Sequence, residues 1–166
     1  MAVPDFILTL RESIGTAPLW LSGVTAVVER GDDLLMVRRS DTGKWTPVTG
    51  IIDPGEHPAD AAVREVLEEA DLHVAPVRLA ALGVTEGIVY DNGDQASYLD
   101  HTFLMRWEGG EPSPADGENT EARWFPRGDL PPMTADMRAR VDAALSGDPS
   151  AQFVVSGEVR RGERPA

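Results

Sequence analysis

The chain has 166 residues, of which 42% are hydrophobic and none is cysteine, and its formal net charge is −13. A chain of this length and composition is expected to form a single domain over residues 1–166, and it has no apolar run long enough to span a membrane. The missing cysteine excludes disulfides and thiolate metal sites and favours a cytoplasmic location, while the acidic charge argues against nucleic acid as a partner.

The first half of the chain is predicted to contain two helices and a hairpin. Phe6, Ile7 and Leu10 recur at helical spacing, and two apolar runs flank a short polar turn. Pro58 fits the first turn of a helix, where its missing N–H costs nothing. The predicted elements are a helix over 5–14, strands over 19–29 and 34–38, loops over 40–48 and 49–55, and a helix over 58–70.

The second half is predicted to contain another hairpin and one more helix. The turn 91–94 (Asp-Asn-Gly-Asp) between two apolar runs is a strong hairpin signal, and Thr134 is a suitable helix N-cap. The polar C-terminus is expected to be flexible. The predicted elements are strands over 77–90 and 95–107, a polar loop over 109–120, a strand over 122–126, a helix over 134–145 and a flexible tail over about 156–166.

Arg64, Glu65, Glu68 and Glu69 form the most informative cluster of the chain. On a helix the three glutamates stand at i, i+3 and i+4, which predicts three carboxylates on one face. Neighbouring carboxylates repel each other, and a divalent cation relieves that repulsion most directly. Their hard oxygen atoms suit Mg²⁺ or Mn²⁺. A solvated acidic helix face is the alternative, and it would be favoured without the residues that precede the cluster.

The segment from Gly50 to Leu72 places Glu56 and the cluster at fixed distances from Gly50. Its spacing resembles the signature of the Nudix hydrolase family, Gly-x5-Glu-x7-Arg-Glu-U-x-Glu-Glu-x-Gly-U with U aliphatic, at eight of nine specified positions. The resemblance implies an α/β fold, an α/β/α sandwich with a central mixed β-sheet. Asp71 replaces the final glycine, where a left-handed backbone is expected at a cost of about 1 kcal/mol.

The resemblance also implies a reaction. Family members hydrolyse a pyrophosphate bond in a nucleoside diphosphate linked to another moiety, such as a nucleoside triphosphate or a nucleotide sugar. Water attacks at phosphorus, and the reaction depends on Mg²⁺, with Mn²⁺ as the alternative ion. A catalytically silent, nucleotide-sensing Nudix domain is the alternative function, and the full set of four glutamates argues against it. An isomerase of the isopentenyl diphosphate type shares the fold but needs a cysteine, which this chain lacks.

The resemblance assigns a role to each matching residue. Glu68 and Glu69 are expected to bind the metal, and Glu65 to act either as the general base or as a further ligand. Glu56 is expected to assist the metal cluster or to orient the loop, and it also suits the start of a helix as a capping carboxylate. Arg64 is expected to hold these carboxylates in place by salt bridges rather than to touch the substrate.

Two further metal ligands are predicted outside the cluster. The backbone carbonyl of Thr49 lies directly before the motif. Glu118 lies in the loop before the strand predicted over 122–126, where some family members supply a metal-binding or basic glutamate. Glu121 is the competing choice at that place.

The substrate is expected to be a small phosphorylated molecule, a nucleotide, and three residues are candidates for binding it. Tyr90 and Glu86 lie in the predicted strand 77–90, and Trp45 lies in the loop before the motif. An aromatic side chain at Tyr90 or Trp45 can stack a base, although packing in the core is the alternative for each. The N-terminal helix is expected either to pack on the core or to form a contact in a homodimer.

Overall fold

The computed structural model of the chain describes residues 3–162, apart from the side chain of Glu86. Within that range the chain forms three helices and nine strands. No described helix has both the length and the apolar character needed to cross a membrane. In chain order the elements are α1 (Asp5–Ile14), β1 (Leu19–Arg30), β2 (Asp33–Arg39), β3 (Trp45–Thr46), β4 (Val48–Ile51), α2 (Pro58–Ala70), β5 (His73–Val89), β6 (Gln95–Gly109), β7 (Asn119–Pro126), α3 (Ala135–Leu145), β8 (Gln152–Val155) and β9 (Glu158–Arg161).

The strands form one mixed sheet in the order β3-β2-β1-β6-β5-β8-β9, with β4 paired to β1 and β7 paired to β2. The central pair, β1 and β6, is parallel, whereas β5 and β6 form a long antiparallel hairpin. At the far end, β8 runs parallel to β5, and β9 folds back antiparallel to β8. Parallel and antiparallel pairs are thus combined in one sheet, as predicted.

The two faces of the sheet bury different helices. In β1, Val24, Ala26 and Val28 pack in a core cluster with α2, whereas Val27 packs in a second cluster with α3. This alternation is the period-2 pattern of a strand that is covered on both sides. In a third cluster, Ile7 of α1 packs against Leu21 of β1 and Ile51 of β4. The predicted α/β/α sandwich with a central mixed sheet is therefore confirmed, and α1 packs on the core.

Most predicted elements are found within a few residues of their expected bounds. The loops predicted over 40–48 and 49–55 are wrong in part, because Trp45–Thr46 pairs with β2 and Val48–Ile51 pairs with β1. Pro47 lies in the loop predicted over 40–48, and Gly50 lies in the loop predicted over 49–55. Pro47 instead separates the two short strands, and Gly50 lies inside β4, where the backbone ladder to β1 overrides its weak strand propensity.

The C-terminal segment also differs from the prediction. Residues 152–161 form a hairpin, whose turn contains Ser156 and Gly157 with φ of 54° and 81°. The strand β9 therefore occupies part of the tail predicted as flexible over 156–166. The rest of that prediction, residues 163–166, lies outside the described residues.

Candidate functional site

The helix α2 positions the acidic cluster, and the residues at its two ends explain where it begins and where it stops. Pro58 occupies the first turn, as predicted. At the other end, Asp71 adopts the left-handed conformation with φ 55° and ψ 38°, and its N–H donates to the carbonyl of Leu67 at 3.0 Å. The predicted left-handed backbone at Asp71 is confirmed, and the helix ends with a non-glycine residue in a conformation that glycine adopts more readily.

The three glutamates of α2, predicted to lie on one face, differ in how far they are buried. Glu65 and Glu69, one turn apart, are 6% and 2% exposed. The side chain of Glu68 is 53% exposed. The helix buries the stripe that includes Ala62 and Val66, and Glu65 and Glu69 border that stripe whereas Glu68 lies on the solvent side.

Arg64 binds three of the carboxylates at once. Its Nε and Nη2 donate to the two oxygens of Glu56, both at 2.9 Å, in a bidentate pair. Its Nη1 donates to Glu65 Oε1 at 2.9 Å and to Glu68 Oε2 at 3.1 Å. Nη2 also reaches the carbonyl of Ile51 at 3.1 Å. The hydrogen bond from Arg64 lowers the pKa of Glu56, which therefore stays ionised.

Gly50 is the point where the strand β4 meets the carboxylate of Glu65. A Cβ atom at Gly50 would lie 2.0 Å from Cδ and 2.1 Å from Oε1 of Glu65. A side chain at this position fits only if the side chain of Glu65 moves, so the glycine is explained by the position of Glu65 and not by a turn. This contact brings the first and middle parts of the sequence motif together in space.

Glu69 lies deeper than any other acidic residue of the cluster. Asn119 donates from Nδ2 to its Oε2 at 2.7 Å. Its other oxygen, Oε1, is buried and has no hydrogen-bond partner among the described residues. Burial raises the pKa of Glu69 to about 8 and that of Glu65 to about 7, because a carboxylate loses hydration there. A bound cation would favour the charged form of both groups.

Sequence reasoning missed Asn119, the first residue of β7. It is 5% exposed and lies directly after Glu118, which was the predicted ligand. Glu118 is half-buried, and its carbonyl accepts hydrogen bonds from the N–H and hydroxyl of Ser40 at 2.9 and 2.7 Å. The competing residue, Glu121, forms ion pairs with Arg38 and Arg123. No pattern in the sequence distinguished Asn119 from the other polar residues of this loop.

Among the residues that the structure describes, no group of three or more histidine, aspartate or glutamate side chains is arranged as a ready-made metal site. The carboxylates of the cluster instead contact protein side chains. Arg64 holds Glu56, Glu65 and Glu68, and Asn119 holds Glu69. Thr49 lies in β4 next to Gly50, opposite Thr25 of β1.

The residues predicted to bind substrate lie in different places. Trp45 packs edge-on against Phe125, with ring centroids 4.9 Å apart, in the core cluster under α3. It therefore lies on the opposite face of the sheet from α2, in the packing environment that was the alternative expectation for this residue. The hydroxyl of Tyr90 lies 2.6 Å from that of Tyr98 at the end of the β5–β6 hairpin. Glu86 lies in β5, and its side chain is outside the described part of the chain.

A cavity of about 430 Å³ opens beside the loop that precedes α2. The residues that line it include Glu56, Trp20, Leu99 and His101. Trp20 is 61% exposed. Its indole ring therefore offers a flat apolar surface next to the acidic cluster, which is suited to a planar ring of a ligand.

Comparisons with known proteins identify the family of the chain. A family model described as "NUDIX domain" matches residues 20–145. The chain is 32% identical over 116 residues to the NAD-capped RNA hydrolase of Pseudomonas syringae pv. syringae. The match covers 66% of this chain and 37% of that protein. It is 37% identical over 134 residues to the 8-oxo-dGDP phosphatase of Mus musculus, with 77% and 37% covered. The chain thus spans about 37% of the length of these curated relatives.

Solved structures show the same fold. An ADP-ribose pyrophosphatase from Streptococcus suis 89-1591 superposes with a TM-score of 0.61 at 26% identity, over 80% of this chain and 96% of that one. A NUDIX hydrolase from Nitrosomonas europaea superposes with a TM-score of 0.63 at 21% identity, over 80% and 76%. At that identity the second match bears on the fold alone.

Proposed function

The chain belongs to the Nudix hydrolase family, and we propose that it hydrolyses a pyrophosphate bond in a nucleoside diphosphate linked to another moiety. Water attacks at phosphorus, and the reaction depends on a divalent cation, Mg²⁺ or Mn²⁺. The products are a monophosphate and a second phosphorylated molecule or pyrophosphate.

The observation that carries the proposal is the state of Glu69. Its Oε1 is buried without a hydrogen-bond partner among the described residues, and Glu65 lies one helical turn away. An isolated buried carboxylate is costly unless a cation or donor satisfies it. A divalent cation would satisfy Glu69 Oε1 and oppose the repulsion between the two carboxylates, and all-oxygen donors are those that Mg²⁺ and Mn²⁺ prefer. The donor set therefore fits the cation that the family uses.

We assign the residues of the chain separate tasks. Glu69 and Glu68 would hold the cation, together with the carbonyl of Thr49 and with Glu118 as a further candidate. Arg64 holds Oε1 of Glu65, which leaves Oε2 to accept the proton of the attacking water or to join the ligand set. A bound divalent cation supplies charge neutralisation on the phosphate oxygens and a lowered pKa for water.

Glu56 and Arg64 are positioning residues in this proposal. The bidentate pair fixes the loop before α2, because the N–H of Asp53 also donates to Glu56 Oε2 at 3.1 Å. Burial of Glu65 and Glu69 excludes water from around their carboxylates, which strengthens their interaction with a cation. With a chain charge of −13, a phosphate substrate needs such local neutralisation.

The relatives and the cavity support a proposal for the substrate class. The relatives are named for NAD-capped RNA, 8-oxo-dGDP and ADP-ribose, all of which contain a purine nucleoside diphosphate. The exposed Trp20, which lines the cavity together with Glu56, would offer its ring for stacking with a base. We therefore propose a purine nucleoside diphosphate derivative, with Trp20 as a base-stacking residue. Tyr90 and Glu86 stay as further substrate candidates at the hairpin end.

Glu69→Gln tests the site, because it removes the charge and keeps a side chain that can bond to Asn119. We expect kcat to fall by about a thousandfold or more with little change in thermal stability. Glu108→Gln is the matched control, since Glu108 is an exposed carboxylate paired with an arginine on β6. Wild-type turnover by Glu69→Gln, or an equal loss in the control, would contradict the assignment.

The substrate is identified with a panel of NADH, ADP-ribose, 8-oxo-dGDP, nucleoside triphosphates, diadenosine polyphosphates and nucleotide sugars, in Mg²⁺ and then in Mn²⁺. Turnover of one purine class supports the proposal. No turnover across the panel, together with thermal stabilisation by a nucleotide, would instead support the nucleotide-sensing alternative. A ligand at about a hundred times its Kd adds roughly 2.7 kcal/mol to the free energy of unfolding.

A further inference from the structure

The strand β9 forms one end of the sheet. Its inner side pairs with β8, and none of the described residues pairs with its outer side. The hairpin also exposes a group of large apolar side chains, each at least 40% accessible: Phe153, Val154, Val155 and Val159. An open edge next to exposed apolar residues is a template for another strand.

The turn of the hairpin determines which backbone groups of β9 point outwards. Ser156 and Gly157 both have positive φ, which is the pattern of a two-residue turn that closes on a hydrogen-bonded pair, here Val155 with Glu158. Hydrogen-bonded and non-bonded pairs alternate along an antiparallel ladder. Val154 and Val159 therefore form a non-bonded pair, and the N–H and C=O of Val159 point towards the open edge.

The side chains of β9 are complementary to a copy of themselves. Two antiparallel strands related by a two-fold axis normal to the sheet can have Val159 opposite Val159 of the second copy. Glu158 then lies opposite Arg160 of the second copy, twice. An axis through Arg160 would place two arginines opposite each other, and an axis through Glu158 would do the same for two glutamates. Charge therefore selects the axis through Val159.

We propose that the chain forms a homodimer in which β9 pairs antiparallel with β9 of a second copy, centred on Val159. The N–H and C=O of the two Val159 residues exchange hydrogen bonds. The cross-strand pair Val154–Val159 continues into its symmetry mate as one row of four valines. On the other face, Glu158 and Arg160, already 2.6 Å apart within one strand, join their symmetry mates in an alternating group of four charges.

The charge of the chain also favours this edge for self-association. The chain carries −13 in total, so two copies repel each other over most of their surfaces. Residues 158–161 contain one glutamate and two arginines, a local charge of +1. The interface is small, because four residues per strand are involved, so we expect a dissociation constant on the order of 10–100 μM.

Charge exchange on the full chain tests the proposal by sedimentation equilibrium. Glu158→Arg and Arg160→Glu each place like charges opposite one another, and each should raise the dimer dissociation constant about tenfold or more. The double variant E158R/R160E restores opposite charges and should associate like the wild type. An equimolar mixture of the two single variants should form a heterodimer, which also shows that both are folded.

Arg106→Glu is the matched control, since Arg106 is equally exposed and pairs with Glu108 two residues away on β6. It makes the same change in charge as Arg160→Glu and should leave association unchanged. A wild-type chain that stays monomeric across the concentration range would overturn the proposal. The charges of β9 would then serve to prevent strand pairing between copies. Loss of association in the single variants without recovery in the double variant or the mixture would overturn it as well.

Discussion

Replacing Gly50 by alanine is expected to disrupt the candidate site by steric overlap with Glu65. The new methyl group would lie 2.0 to 2.3 Å from Cδ, Oε1 and Cγ of Glu65. The backbone of Gly50 has no positive φ, so alanine brings no conformational strain. The carboxylate must therefore move, and the hydrogen bond from Arg64 to Glu65 Oε1 is lost with it.

The loss in the free energy of unfolding is the sum of the steric overlap and the lost hydrogen bond. Overpacking costs about 1–3 kcal/mol, and the low end is expected here because the overlapping atoms belong to a side chain and not to the backbone. Losing a hydrogen bond to a charged group costs about 1.5–3 kcal/mol. We expect the free energy of unfolding to fall by about 3 kcal/mol in urea titrations and turnover to be lost. Gly83→Ala is the control, since a Cβ there meets nothing within 4 Å and Gly83 also lies inside a strand. That variant should change stability by less than about 0.5 kcal/mol.

A double-mutant cycle isolates the contact. If the overlap with Glu65 is the cause, Glu65→Ala should relieve it, so that Gly50→Ala costs much less in the Glu65→Ala background. The coupling between the two sites should exceed about 1 kcal/mol. A cost of Gly50→Ala that is the same in both backgrounds would refute the reasoning, because the alanine would then act through the strand and not through the carboxylate.

Three further predictions concern α2 and its surroundings. In metal-free buffer the free energy of unfolding should fall as pH rises from about 5 to about 8. Burial raises the pKa of Glu65 to about 7 and that of Glu69 to about 8. In this pH range the folded state therefore binds more protons than the unfolded state, and raising the pH favours unfolding. Thermal unfolding across this pH range measures whether stability falls as predicted. Mg²⁺ should offset the loss of stability at pH 8. A melting temperature that does not change with pH would contradict the prediction. Asn119→Ala should destabilise the protein by about 1–3 kcal/mol in urea unfolding, since it leaves Glu69 Oε2 without its donor; an unchanged midpoint would mean that water replaces the amide. Asp71→Gly should raise the free energy of unfolding by up to about 1 kcal/mol, since glycine relieves the left-handed backbone, and a loss of stability would show that the side chain of Asp71 contributes a contact.

Spacing in the sequence predicted the elements whose stability is mainly local. The helix α2 follows from its apolar stripe and Pro58, and the β5–β6 hairpin follows from the turn 91–94. The strand β4 was missed because nothing local favours it. Val48–Ile51 becomes a strand only when it pairs with β1, a partner more than twenty residues away in the chain. Such pairings depend on tertiary context more than on propensity.

The same distinction applies to the candidate site. The different environments of Glu65, Glu68 and Glu69 were within reach of the sequence, because the stripe containing Ala62 and Val66 fixes which side of α2 is buried. Asn119 was not, since its distance from Glu69 in the chain is fifty residues and an amide in a polar loop has no distinguishing pattern. The position of Trp45 was out of reach for a related reason, because its packing against Phe125 depends on the pairing of β2 with both β3 and β7.

The contacts of the acidic cluster indicate which of its carboxylates could reach the proposed cation. Glu56 accepts two hydrogen bonds from Arg64, which lower the pKa of Glu56, so it is neutralised by the guanidinium. Glu68 accepts one longer bond and is exposed, so it is the carboxylate most free to turn towards a cation. Glu69 cannot turn, because it is buried and held by Asn119. One fixed and one adjustable carboxylate on neighbouring positions of α2 would let a cation enter without rebuilding the core around it.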